Sequence, residues 1–391
     1  MAERLAAVRG GRPCTGLERL TRDRVPRSGV TTTIRFVLTG LGNIGRTLLE
    51  VLHARVDLLR ERHGLELKAV GLADSSGIAV DPRGIDLGAV VALKLRGEGV
   101  ATLPVVGRAG VDALALLGMV DAELLLEATP TDRHSGQPGL DLVRAALARG
   151  MHCVLASKGP LVVAYAELEA ASDLSGIAGA PALRFSGAVG GALPSINLGR
   201  RDLAGGRITR VEAVLNGTTQ MILGLRARGM SFAAALAEAQ RIGVAEPDAS
   251  LDVEGWDAAC KLVILCHAVL RRRVTLADVS VTGIAGVTRE ALRAAWAKGG
   301  RMSLLATAQV LPDPSQGYGL SVGPSFLGPE HPLGRLGGDE MGIVYYSDIF
   351  GRSCATSRED GPLGSVAAML RDVIEIAGQA RPGASRAKPG T

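Results

Sequence analysis

The chain has 391 residues, 47% of them hydrophobic and 21% charged, with 52 glycines scattered through varied sequence. This is globular composition, and the length exceeds the ~250 to 300 residues at which single cores stop growing, so two domains are expected. Aromatic residues make up only 3%, and the net charge of +5 draws on seven arginines between Arg4 and Arg27, which argues against a nucleic-acid partner; no apolar run reaches the ~18 residues of a membrane span. Five cysteines without a CxxC pair suit a reducing, cytoplasmic setting and exclude the usual structural zinc pattern.

Residues 1–32 are arginine-rich but hold Glu3, Glu18 and Asp23, which transit peptides avoid, so a disordered extension is expected there and a disordered tail over 381–391. From Thr33 the pattern changes. Ile34 to Gly40 reads as a buried strand, Leu48 to His63 as an amphipathic helix, and Leu65 to Ala73 as a second strand. Strands at Ala122 to Ala128 and His152 to Ser157 flank a helix at Gly139 to Arg149. This alternation predicts an α/β fold, a Rossmann-like doubly wound parallel sheet over 33–168.

A second, α+β domain is expected over 169–352. It begins with a strand at Leu183 to Phe185 and a turn at Gly187 to Gly191, followed by a strand at Arg210 to Leu215. Helices are predicted at Gln220 to Arg228, Ser231 to Ile242 and Leu251 to Arg271. Within 353–380, Gly364 to Ala377 reads as a helix that returns to the first domain.

Gly40-Leu-Gly42-Asn43-Ile44-Gly45 follows a strand and opens a helix, the context in which this fingerprint binds a dinucleotide. The first glycine serves the tight turn, the second the approach of a pyrophosphate, and the third helix–strand packing. Asp74 closes the second strand. There it either accepts ribose hydroxyls and repels a 2′-phosphate, favouring NAD, or caps a turn.

In Glu246-Pro-Asp-Ala-Ser-Leu-Asp252-Val-Glu254-Gly-Trp-Asp257-Ala-Ala-Cys-Lys261, Asp257 and Lys261 share a helix face, with Glu254 one turn earlier. The following Leu262 to Leu270 is apolar around almost its whole circumference, which marks a buried helix. A lysine entering it needs partners or a watered cleft, so the spacing fits an ion-pair network and an acid/base site alike. Lys158 stands just past a strand, on the side of the sheet where ligands bind. Like charges in one cleft lower an amine's pKa and carboxylates raise it, so geometry decides the balance.

Four motifs together give the chain a family resemblance: Gly40-Leu-Gly-Asn-Ile-Gly45, Ala156-Ser-Lys-Gly-Pro-Leu161, Val211-Glu-Ala-Val-Leu-Asn-Gly-Thr-Thr219, and the run from Ala245 to Leu262. From about Ile34 to Val373 it resembles the homoserine dehydrogenases, which interconvert homoserine and aspartate 4-semialdehyde with NAD or NADP. The resemblance implies Lys261 as the acid/base on the substrate oxygen with Lys158 beside it, and Asp252 and Asp257 orienting Lys261 or its water. Glu246 would hold the amino-acid end of the substrate, with Asn216, Gly217 and Thr218 lining its pocket. Besides Gly40, Gly42, Gly45 and Asp74, it places Asn43, Ile44, Thr129, Lys158 and Gly364 at the cofactor. It also suggests main-chain carbonyls of Val189 and Gly191 as ligands of a monovalent cation such as sodium, and a homodimer through the second domain's sheet.

Departures are Val244 where a tyrosine is usual, Ser186 for a glutamate, Met341-Gly342 for Asn-Ala, and Gly361-Pro-Leu-Gly364 for a richer glycine loop. Neither an aspartate kinase fusion nor an amino-acid-sensing domain is expected. A related dehydrogenase acting on another small amino or hydroxy acid, and a non-catalytic dinucleotide sensor, are the competing readings.

Overall fold

The computed structural model describes residues 31–246, 248–359 and 361–379; the predicted N-terminal extension and C-terminal tail lie outside the described residues, apart from Thr31 and Thr32. Among the described residues the first sheet has seven strands: β1 Thr32–Thr39, β2 Leu65–Asp74, β3 Gly77–Val80, β4 Gly107–Ala109, β5 Leu124–Glu127, β6 His152–Leu155 and β7 Leu183–Arg184. Their spatial order is β4-β3-β2-β1-β5-β6-β7. Neighbours from β2 to β7 are parallel, while β3 and β4 form an antiparallel edge. That edge falls in a stretch punctuated by Gly and Pro, where alternation is too short to be read.

The chain starts at the centre of this sheet, builds towards β4, and then crosses to β5 on the other side. Strand order therefore reverses between β1 and β5, which creates a crevice at their carboxyl ends. Register sets Thr39 beside Glu127 and Glu127 beside Leu155. Gly40, Thr129 and Lys158 thus emerge from three adjacent strands on one rim.

The helix predicted from Leu48 to His63 is two, α1 Asn43–Ala54 and α2 Val56–His63, broken at Arg55. Helices α3 Leu87–Leu95, α4 Gly139–Ala148 and α5 Gly159–Val163 complete the connections used below.

The second sheet is built from β8 Ile208–Val214, β9 Val279–Val281, β10 Arg301–Val310, β11 Tyr318–Leu327, β12 Glu340–Ser347 and β13 Gly351–Arg358, in the order β13-β12-β8-β10-β11-β9. Only β8 had been read from the sequence. The sheet continues through Arg358, into the segment assigned above to the returning helix. Helices α6 Gly217–Ala227, α7 Phe232–Arg241, α8 Ser250–Val253, α9 Trp256–Ala268 and α10 Arg289–Ala297 follow in this half; α6, α9 and α10 lie against β10.

The helix predicted from Leu251 to Arg271 is divided at Gly255, whose φ of +90° suits glycine, and α9 ends at Ala268. Consequently Glu254 is exposed and does not join Asp257 and Lys261 on one face. The last helix, α11 Leu363–Gln379, packs on α1, and its Val366, Met369, Val373 and Ile376 enter the same apolar cluster as Phe36 and Leu49. No described helix is long and apolar enough to cross a membrane.

Candidate active site

A cleft of about 900 Å³ runs from the β1–α1 loop to the start of α9. Its lining includes Gly40, Gly42, Asn43, Ile44, Asp74, Thr129, Lys158, Glu246, Asp252 and Asp257. Lys261, Gly45, Asn216, Gly217, Thr218, Val189, Gly191 and Gly364 lie outside that lining.

The glycine loop behaves as its spacing requires. Gly40 has φ +85°, and a Cβ on it would collide with the Ala128 carbonyl; one on Gly45 would collide with the Gly40 carbonyl. A Cβ on Gly42 meets nothing within 4 Å, so the loop is open where a pyrophosphate would approach the N-terminus of α1. The residues present therefore fit a dinucleotide.

Beneath the rim, Glu127 is fully buried. It accepts a hydrogen bond from the Thr129 N–H at 2.8 Å and others from the hydroxyls of Thr129 and Ser157. Burial raises its pKa against these bonds. The carboxylate ties together the loops that carry Thr129 and Lys158; at the end of an apolar strand it gave no signal in the sequence.

Asp74 occupies its predicted place, but both carboxylate oxygens are engaged. One accepts from the Ser76 N–H at 2.9 Å and the Ser76 hydroxyl at 2.5 Å. The other accepts from Lys94 Nζ at 2.8 Å and the Val100 N–H at 3.0 Å. Burial opposes the charge on Asp74, yet Lys94 and the other donors outweigh it and lower the pKa. Lys94, from α3, also lines the cleft. It gives no signal in the sequence because it lies on α3, 20 residues beyond Asp74 and outside every motif.

At the other end, Asp257 lies between two lysines. Its Oδ2 is 2.7 Å from Lys261 Nζ and its Oδ1 is 3.3 Å from Lys158 Nζ. Lys261 also donates to the Leu215 carbonyl at 2.6 Å, which turns its ammonium behind the cleft wall and leaves one N–H unspent. Burial would raise the pKa of Asp257, but the charges of Lys261 and Lys158 hold the carboxyl well below the usual range. Burial also opposes the charge on Lys158, and there Asp257 tips the balance, so its pKa is raised.

Asn216 organises the cluster. As N-cap of α6, its Oδ1 accepts from the Thr219 N–H at 2.8 Å. That bond directs its Nδ2 to Asp252 Oδ1 at 2.6 Å and Asp257 Oδ2 at 2.8 Å. Asp252 therefore reaches the site through Asn216, and burial followed by the charge of Asp257 raises its pKa. Thr218 donates to the Val244 carbonyl at 3.1 Å, pinning the Glu246 loop to α6. Glu246 is exposed on the cleft wall. The cleft is also spanned by Arg133, whose guanidinium lies 4.5 Å from the Trp256 ring centroid.

The cation candidates lie apart from the cleft. The Val189 carbonyl accepts from the Ser195 hydroxyl at 2.7 Å. Beside Gly191 and Gly364 sits the Glu359 carboxylate, which accepts from the Ala192 N–H at 3.2 Å. Ser186, where a glutamate was the usual residue, instead donates its N–H to the buried Asp372 at 2.8 Å. Among the described residues no group of three or more His, Cys, Asp or Glu side chains is arranged to hold a metal ion.

Residues 194–374 match the homoserine dehydrogenase family model. The chain is 33% identical to the homoserine dehydrogenase of Methanocaldococcus jannaschii, over 87% of this chain and 97% of that one. It is 32% identical to the NAD(+)-dependent homoserine dehydrogenase of Pseudomonas canavaninivorans, over 88% and 96%. A crystal structure of a homoserine dehydrogenase from Thiobacillus denitrificans superimposes with a TM-score of 0.73 at 26% identity, covering 92% of this chain and 77% of that one. With this similarity spanning both sheets and the cleft between them, the chain belongs to the homoserine dehydrogenase family.

Proposed function

We propose that the protein interconverts L-homoserine and L-aspartate 4-semialdehyde with NAD or NADP, a step of threonine and methionine biosynthesis. The observation that carries this reading is the placement of Lys158, Asp257 and Lys261 at the end of a dinucleotide cleft. When bound, the nicotinamide ring exchanges the hydride with the carbon that bears the substrate oxygen.

The chain's own residues handle the proton and the substrate's charges. In the reductive direction, Lys261 gives a proton to the carbonyl oxygen, directly or through one water, while Lys158 stabilises the negative charge that develops there. In the oxidative direction the amine takes the hydroxyl proton. Asp257 orients both lysines, and Asn216 and Asp252 hold Asp257. Glu246 accepts the substrate ammonium. The first turn of α6, at Gly217 and Thr218, lies directly behind Val244 and Asp252 and offers N–H groups to the α-carboxylate. Purified protein supplied with homoserine and either oxidised cofactor should form reduced nicotinamide. No turnover with either one would sink the assignment, and turnover of a different small amino or hydroxy acid would redirect it.

Both cofactors are expected to serve. Asp74 would repel a 2′-phosphate if its charge were bare, but Lys94 neutralises it, and Ser75 is exposed beside it in the cleft. Thr129 and Asn43 flank the path of the dinucleotide. For a monovalent cation we assign the carbonyls of Val189 and Gly191, with Glu359 supplying the charge that Ser186 does not. Sodium added at constant ionic strength should raise the melting temperature, and replacement of Glu359 by Gln should abolish the gain. The cytoplasmic enzyme is proposed to be a homodimer through the second sheet. Light scattering should give twice the 40.3 kDa chain mass.

A further inference from the structure

At the opposite end of α9 from the lysine pair, a second cavity of about 350 Å³ opens between that helix, residues 199–208 and the turn joining β10 to β11. Arg200, Arg207, Arg271 and Arg272 line it, and among the described residues no aspartate or glutamate does. Their immediate neighbours are neutralised: Arg201 pairs with Asp202 at 3.1 Å, and Arg273 pairs with Glu169. Among the described residues, none of the four that face the cavity has a carboxylate within ion-pairing distance.

Cations gathered in one concavity repel one another and raise the local concentration of anions. Two of these arginines follow a helix C-terminus, where cations are favoured by the helix dipole. That accounts for Arg271 and Arg272 but not for Arg200 and Arg207, which come from a separate segment. Arg271 also has φ +52°, a conformation that glycine adopts without strain and a residue carrying a Cβ resists. The chain keeps a guanidinium there regardless. Tyr318 forms part of the cavity, held by a hydrogen bond from its hydroxyl to the Ile208 carbonyl at 2.5 Å, with the Arg272 guanidinium 6.0 Å from its ring centroid.

We propose that this cavity binds a small anion bearing two or more negative charges, as phosphate or carboxylate groups, at a site separate from the dinucleotide cleft. Its volume lies at the lower end of the range for ligand sites, about 300 to 1,000 Å³, and suits a phosphorylated or polycarboxylate metabolite better than a dinucleotide. A bound anion would touch the end of the helix that carries Asp257 and Lys261.

The test is calorimetric titration of inorganic pyrophosphate into the full chain with the dinucleotide cleft saturated by NAD, so that the ion cannot report on the nucleotide loop. The expected result is one site per chain with a submillimolar dissociation constant, weakened tenfold or more in Arg271→Gln/Arg272→Gln and again in Arg200→Gln/Arg207→Gln. The four side chains are exposed, so both variants should fold, retain NAD binding and keep basal turnover; melting curves check the first point. A parallel titration with citrate distinguishes the source of the charge: weaker binding assigns the site to phosphate groups, and equal or tighter binding to carboxylates. Absence of submillimolar binding of either anion overturns the proposal. So does an affinity unchanged in both variants, or one equally weakened by Arg289→Gln/Arg293→Gln on α10, which lowers net charge by the same amount elsewhere.

Discussion

Lys158, at the carboxyl rim of the first sheet, has its ammonium 3.3 Å from the carboxylate of Asp257 in the first turn of α9. This contact joins the two halves of the molecule at the end of the cleft, and it determines the protonation chemistry. Because Asp257 raises the pKa of Lys158, the ammonium form is favoured at neutral pH. Reduction of the semialdehyde, which uses that cation to stabilise charge on the substrate oxygen, should therefore hold through neutral pH and fall only as pH rises through the alkaline range. Asp257→Asn removes the stabilising charge and should move the alkaline limb of the kcat profile to lower pH. A profile that keeps its position in the variant would show that Asp257 does not set it.

Lys261→Ala should cost about 10² to 10⁴ in turnover, the usual contribution of a positioned acid or base. Lys261 lies outside the cleft lining, so the cofactor dissociation constant should be nearly unchanged. Fluorescence titration with NADH separates the two effects; a parallel loss of cofactor binding would recast Lys261 as part of the scaffold.

The nucleotide loop offers a contrast between two glycines. Gly42→Ala introduces a methyl group into open space, so the melting temperature should hold while the KM for cofactor rises about tenfold, the equivalent of ~1.4 kcal/mol. Gly45→Ala drives its methyl into the Gly40 carbonyl and should lower the melting temperature as well. If Gly42→Ala bound cofactor normally, the pyrophosphate would have to lie elsewhere.

Lys94→Ala uncovers the charge of Asp74 at the ribose end of the cleft. The ratio of kcat/KM for NADP to that for NAD should fall tenfold or more, with the NAD value little altered. An unchanged ratio would mean that Lys94 serves only to hold the loop that starts at Gly99.

Asp372 on α11 is fully buried, and among the described residues only one of its oxygens has a hydrogen-bond partner, the Ser186 N–H. Burial pushes its pKa up to about 6. An acid whose folded pKa is raised carries no penalty below its unfolded value. The cost builds as pH rises towards 6 and is complete above it. Asp372→Asn keeps an acceptor for Ser186 and should stabilise the fold by about 2 to 3 kcal/mol at pH 7.5, the free energy of a shift of about two units, with little gain near pH 4. Denaturant melts at the two pH values would check this, and equal shifts at both would point to a packing effect.

Local sequence determined the elements whose signals are continuous along the chain. β1, β2, β5 and β6 are strands rich in apolar residues that end in turns, and Gly40, Gly42 and Gly45 carry their steric reasons in their spacing. The pairing of Asp257 with Lys261 was likewise visible as helical periodicity, because both lie within one helix. The break at Gly255 was not, since a glycine inside an apolar pattern is compatible with either a continuous helix or a turn. Only the tertiary structure decided the rest. The second sheet is assembled from strands interrupted by residues such as Gly323 and Pro324, held by distant partners rather than by their own alternation. Glu127, Lys94 and Asn216 acquire their roles from side chains brought to them by other elements. Asp74 shows the difference most clearly: its position was legible, but whether its charge stood bare depended on a lysine from α3, because electrostatics acts through space and the sequence orders residues only along the chain.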